Sequence, residues 1–277
     1  MPADPDDSNH RPAPDEPLIG EVVRPSADDR QRGAVFTNAP LASAVTRKHS
    51  FARLLVGANI AVYVMMVLSG VSAFSPTAVQ LVHWGALFGP IVHQGQWWRL
   101  ITAGFVHIGI IHIAFNMWCL WYLAELSEFI FGGWTTVAIY VLTAITSSML
   151  SLFLHPQIIS AGASGAIFGI AGAIIIALRV GHHTVPEPVR RAISNSALRF
   201  AAYNLVFGLL PGIDDAGHFG GLFGGLALGA AYAITQSMPS QEDRREVRAA
   251  ISVAFLALLI SITIGPLHVP VHLQFHR

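Results

Sequence analysis

The stretch Gly162-Ala163-Ser164-Gly165-Ala166-Ile167-Phe168-Gly169 decides how this chain is read. One hydroxyl sits among glycines at the head of a long apolar run, Ala166 to Leu178, and no Asp, Glu, Lys or Arg occurs between Glu128 and Arg179. An uncharged segment of this kind belongs in a bilayer as a helix. Ser164 then lies in the first turn, where backbone N–H groups are free and the helix dipole is positive. A hydroxyl at that place is either a helix cap or a nucleophile whose developing oxyanion meets those N–H groups.

The composition sets the same frame. The chain is 53% hydrophobic and 12% charged, with a mean hydropathy of +0.55, against about 25% charged residues in a soluble domain. Residues 1–53 hold seven Lys/Arg and eight Asp/Glu, so the remainder is very poor in charge. The expected architecture is all-α: a polytopic membrane helical bundle behind a polar tail. Residues 1–50 read as a disordered cytoplasmic tail, rich in Pro, Asp and Arg. That opening is too polar and acidic for a signal peptide or a mitochondrial transit peptide. The formal net charge is zero, so nucleic acid is not an expected partner. A lone cysteine, Cys119, excludes an intrachain disulfide and a Cys-based zinc site.

Seven apolar runs are expected to span: Leu54 to Phe74, Ile101 to Leu126, Trp134 to Leu154, Ser164 to Arg179, Ala197 to Leu210, Ala216 to Thr235, and Ala249 to Pro266. Between the first two, Ser75 to Gly104 is too mixed to span, and its Trp84, Trp97 and Trp98 suit a membrane interface. With the N-terminus in the cytoplasm, 14 Lys/Arg fall on the inner side and only Arg99 and Arg277 on the outer. The positive-inside rule favours that orientation and puts Ser164 toward the outer side. Charged groups inside spans are functional suspects. Here they reduce to His107, His112 and His218, with the amide of Asn116. His112 and Asn116 share a helix face. His218, Gly221 and Gly225 form one stripe of the sixth run, and Gly165, Gly169 and Gly172 a matching one on the fourth; small stripes let two helices approach closely. Packed together, they bring an imidazole beside a hydroxyl, a nucleophile with a base.

Other readings stay open at this level. The histidines can be interhelical glue, or ligands to a metal, although no His-Glu-x-x-His pair exists and His107 and His112 are poorly spaced. Haem requires histidines stacked across two helices at matched depth. Ala166 occupies the last position of what would be a Gly-x-Ser-x-Gly elbow, which rules out the nucleophile elbow of soluble hydrolases. Asp214 and Asp215, just before His218, suit a cap of the sixth helix and not a triad acid.

Taken together, Trp98-Arg99, His107-x4-His112-x3-Asn116, Glu128, Gly162-Ala163-Ser164-Gly165 and His218-x2-Gly221-x3-Gly225 resemble, in order, the motifs of the rhomboid family of intramembrane serine proteases. The resemblance covers about residues 51–236, leaving 237–277 as a loop, a seventh helix and a short external tail, similar to the family's six-plus-one members. It implies Ser164 as nucleophile, His218 as base, and His112, Asn116 and the Ser164 N–H as oxyanion donors. Gly162, Gly165, Phe168, Gly221, Gly225 and His107 support the site, and Trp98-Arg99 belongs to a structural loop. Gly217 stands where the family often has Ala, and Phe168 where many members have Tyr stacked on the catalytic histidine. The implied substrates are single-span membrane proteins in the lipid bilayer, cut at helix-unstable segments with small residues; the implied location is the plasma membrane, with no metal or cofactor. A catalytically inactive relative that binds or routes membrane proteins is the alternative.

Overall fold

A computed structural model of the chain describes residues 51–181, 186–208 and 214–264. The expected tail over 1–50, the end of the fifth run at Leu210 and the end of the seventh run at Pro266 lie outside the described residues. The elements are helices: α1 (Phe51–Leu68), α2 (Ala78–His83), α3 (Gly89–Val92), α4 (Arg99–Thr102), α5 (Gly109–Phe131), α6 (Gly133–Leu154), α7 (Ser164–Val180), α8 (Glu187–Gly208), α9 (Asp215–Ala233) and α10 (Gln241–Ile264). Among the described residues, five helices are long and apolar enough to cross a membrane: α1, α5, α6, α9 extended to Ser237, and α10 to Thr263. The shorter α7 is apolar too. This is an all-α, multi-pass membrane fold.

Several boundaries differ from the sequence expectation, and three of the differences have a local reason. The second run does not begin at Ile101. A short helix ends at Thr102, a turn follows, and α5 starts at Gly109, where φ is +82° and a Cβ would fall 2.5 Å from Phe74 O. His107 therefore precedes the helix and does not lie within it. The fifth helix begins ten residues early, at Glu187. Its charges are used locally: Arg190 donates to Leu178 O at 2.8 Å, Arg191 pairs with Glu187, and Arg179 of α7 donates to Ser194 and Asn195. The charged stretch Gln241 to Arg248 is not a loop but the first turns of α10. The Trp-rich segment is built from α2, α3 and α4. Buried Arg99 pins it by donating to Gln96 Oε1, Val82 O and Ala86 O at 2.6–2.8 Å.

The helix that carries Ser164 is the centre of the bundle. Thirteen of its seventeen residues are buried, and it packs on α5, α6, α8 and α9. Its tightest seam is with α9. A Cβ at Gly221 would fall on Gly165 O, one at Gly225 on Gly169 O, and one at Gly229 2.5 Å from Ala173 O. Both series advance by one helical turn in the same direction, so α7 and α9 run parallel and their first residues lie at the same level. The two stripes do not mirror each other fully. Gly172 faces α9, but Gly165 and Gly169 make room for Ser147 and Thr143 of α6, and meet α9 through their carbonyls. The seventh helix, α10, is peripheral, with only 11% of its membrane window buried. Arg248 ties it on, donating to Phe131 O at 2.6 Å and Thr235 Oγ1 at 2.7 Å, and Tyr232 shares a hydrogen bond with Ser252.

Candidate active site

The loop that delivers Ser164 is held by backbone bonds. Leu87 and Ser160 exchange two hydrogen bonds, 2.8 and 3.0 Å, in an isolated bridge. Gly162 N–H donates to Ala103 O at 2.9 Å. Gly162 has φ +133°, and a Cβ there would come within 2.7 Å of the His112 ring, so only glycine fits the turn and the ring. Ser164 opens α7, and its N–H has no acceptor within the helix because first-turn donors never do.

The structure brings most of the sequence-derived residues to one cavity. His218 Nε2 lies 2.9 Å from Ser164 Oγ. The Phe168 ring, one turn beyond Ser164, stacks on the His218 imidazole at 4.6 Å and 27°. His112 Nδ1 accepts from Ile108 N–H at 3.2 Å, which assigns its ring proton to Nε2, the nitrogen beside Gly162. Asn116 donates to His112 O at 2.9 Å and lines the same cavity. That cavity measures about 370 Å³, and Ser164, His218, His112, Asn116, Ser147 and Asp214 contribute polar groups to its wall. His107 does not reach it; the ring is fully buried behind the loop. It accepts from Ala163 N–H through Nε2 at 3.4 Å, and its Nδ1 lies 3.1 Å from Phe105 O. One tautomer, with the proton on Nδ1, satisfies both contacts.

Among the described residues, His218 Nδ1 is buried with no hydrogen-bond partner, as is Asp214 Oδ2. Asp214 does not orient the imidazole. Its Oδ1 accepts from Gly217 N–H at 3.0 Å as the N-cap of α9, and it lies 3.9 Å from His155 Nδ1. Asp215 accepts from Ala216 N–H and is likewise 3.9 Å from His155. The two aspartates cap α9 and face the end of α6.

Three cavity residues went unread in the sequence. Ser147 sits where Gly165 and Gly217 leave room for it. Cys119 and Phe200 line both this cavity and a second one of about 280 Å³ between α5 and α8. Their signal was weak, since a Cys or a Phe in an apolar run reads as ordinary core. Cys119 does fall three residues after Asn116, a spacing that shares its helix face.

The fold and this cavity define a multi-pass helical membrane protein with a half-buried serine and histidine in hydrogen-bond contact. Residues 94–235 match the family described as the Rhomboid domain. The chain is 32% identical over 207 residues to the protein named Rhomboid protease GluP of Bacillus subtilis (strain 168), covering 74% of this chain and 38% of that one. It is 38% identical over 147 residues to RHOMBOID-like protein 6, mitochondrial, of Arabidopsis thaliana, covering 53% and 47%. It is 30% identical over 176 residues to Rhomboid-like protease 3 of Toxoplasma gondii, covering 62% and 66%. The chain thus spans less than half the length of the first two. It belongs to the rhomboid family.

Proposed function

We propose that this chain is an intramembrane serine endopeptidase in which Ser164 and His218 act as a dyad. The observation that carries the reading is the 2.9 Å contact between Ser164 Oγ and His218 Nε2 inside a cavity that also holds His112 and Asn116. For attack, Ser164 Oγ passes its proton to His218 Nε2 as it bonds to the scissile carbonyl carbon. The resulting oxyanion takes hydrogen bonds from Ser164 N–H, His112 Nε2 and Asn116 Nδ2. Collapse breaks the C–N bond, and the leaving amine receives the proton from His218. Water, activated by the same imidazole, then hydrolyses the acyl-enzyme. The reading needs no third catalytic member: Phe168 holds the imidazole by stacking, and Asp214 Oδ1 caps α9.

The substrates are single-span membrane proteins, cut in or near their membrane segment. The protease core is residues 51–236, with 237–277 as an added helix and flanks behind a tail at 1–50. The charge distribution supports a cytoplasmic N-terminus, a site near the outer face and residence in the plasma membrane. The test is the full chain reconstituted with a single-span reporter. Cleavage by the parent and none by Ser164→Ala supports the reading. A parent that neither cleaves nor takes up a serine-directed fluorophosphonate makes this an inactive family member.

A further inference from the structure

The loop before Ser164 is held in place by a turn that does not line the cavity. Residues 103–107 lie between α4 and α5, and four of them each make one defining contact. Ala103 O accepts from Gly162 N–H at 2.9 Å. His107 Nε2 accepts from Ala163 N–H at 3.4 Å, and its Nδ1 is 3.1 Å from Phe105 O. Gly104 O accepts from the Tyr140 hydroxyl at 2.8 Å. The turn therefore grips two successive peptides just before Ser164 on one side, and is itself gripped by α6 on the other. The grip extends along one face of α6. Ala144, one turn past Tyr140, lies 3.3 Å from where a Gly104 Cβ would stand, and Ser148, another turn on, donates to Leu100 O at 3.0 Å.

Tyr140 is fully buried, and its hydroxyl has one proton to give. Asn59 of α1, also fully buried, donates its amide to that hydroxyl at 3.0 Å and to Leu55 O at 2.8 Å. The Tyr140 hydroxyl has two acceptors in reach, Gly104 O at 2.8 Å and Asn59 Oδ1 at 3.2 Å; with the Asn59 amide donating to the phenol, the proton goes to the nearer one, Gly104 O. The tilted contact of the Phe105 and Tyr140 rings, 5.4 Å between centroids, holds the turn from the side. We propose that Tyr140, oriented by Asn59, is a positioning residue for the reaction. It sets the turn at Gly104, the turn sets Gly162 and Ala163, and these set the direction of the Ser164 N–H. An oxyanion donor works only when placed about 2.7–3.1 Å from the forming charge, so a shift of a few tenths of an ångström matters. The inference rests on the serine-protease reading above.

The test is Tyr140→Phe in the full reconstituted chain, which keeps the ring packing and removes the hydroxyl. The expected result is a kcat about tenfold lower, the order of one lost hydrogen bond, with KM within about twofold. Labelling of Ser164 by a fluorophosphonate should slow by a similar factor, because that reaction also builds charge on oxygen. Asn59→Leu should act in the same direction with a smaller loss, since the phenol remains but is free to turn. A purely structural role lowers the thermal midpoint and leaves kcat per labelled site unchanged; that outcome in both variants overturns the proposal. Ser164→Ala is run beside them. Cleavage by that variant overturns the protease reading itself, whereas its inactivity together with a normal kcat in Tyr140→Phe removes only the positioning role.

Discussion

The two sides of α7 are built on opposite principles. Toward α9 the contact is backbone to backbone: Gly221 and Gly225 lie on the carbonyls of Gly165 and Gly169, with no space for a single added carbon. Toward α5 and α8 the packing opens into two cavities that share Cys119 and Phe200. The hydroxyl and the imidazole are mounted across the tight seam, where their separation is set by main-chain contact. The loose side is where volume is available for a ligand and water. Rigid mounting and access are thus assigned to different faces of one helix, and substitutions on the two faces should behave differently.

The largest effect is expected at the pair the seam holds. Ser164→Ala and His218→Ala should each abolish cleavage, by about 10⁶-fold if the pair acts as a unit, and the double variant should be no worse than either. Both proteins should still accumulate in the membrane. Gel assays of reporter cleavage, normalised to enzyme level, check this; additive losses would mean the two groups act separately. Next comes Gly221→Val. Its side chain must displace Gly165 O, so the seam should part, with activity lost and the thermal midpoint in detergent lowered. Normal activity with valine would refute the close-seam account.

Loss of an oxyanion donor is smaller. Asn116→Ala and His112→Ala should each lower kcat by about 10²–10³, some 2.7–4 kcal/mol, with Ser164 still present to react with a phosphonate, more slowly. Wild-type turnover in both would remove them from the site. On the loose side, Phe200→Ala should lower the thermal midpoint less than Gly221→Val, because the ring borders space on two sides although it meets Phe168 at 6.1 Å. A thermal loss as large as that of Gly221→Val would erase the contrast between the faces. The smallest effect belongs to Asp214→Asn and Asp215→Asn, since asparagine caps a helix about as well as aspartate. Activity should stay within about threefold; a 10⁴-fold fall, as for a lost triad acid, would make one of them the partner of His218 Nδ1.

What was legible in the sequence was whatever only one physical reason explains. Glycines at helical spacing in an apolar run point to close approach, so the contact of Gly221 and Gly225 with α7 followed from spacing, whereas Gly165 and Gly169 make their room for α6 instead. Phe168 four residues beyond Ser164 lands on the same face, and it does stack. Residues with two sufficient explanations were read the wrong way. Arg190, Arg191 and Arg248 read as loop charges in sequence, yet they lie in helices: a carbonyl at the end of α7 receives Arg190, Glu187 pairs with Arg191, and Phe131 O and Thr235 Oγ1 receive Arg248. The apolar look of residues 101–108 hid the turn before α5, so His107 was assigned to a span when its position comes from Ala163 and Phe105. Asn59 and Tyr140 pair across 81 residues, a separation at which no local pattern exists, and a tyrosine in an apolar run reads as packing.

The parallel run of α7 and α9 also has a consequence in time. A chain is made from its N-terminus, so Ser164 is synthesised and can enter the bilayer while His218, 54 residues later, is still on the ribosome. Until the glycines of α9 dock on the carbonyls of α7, the hydroxyl has no base beside it. The pair is therefore incomplete in the nascent chain for as long as α9 has not been made.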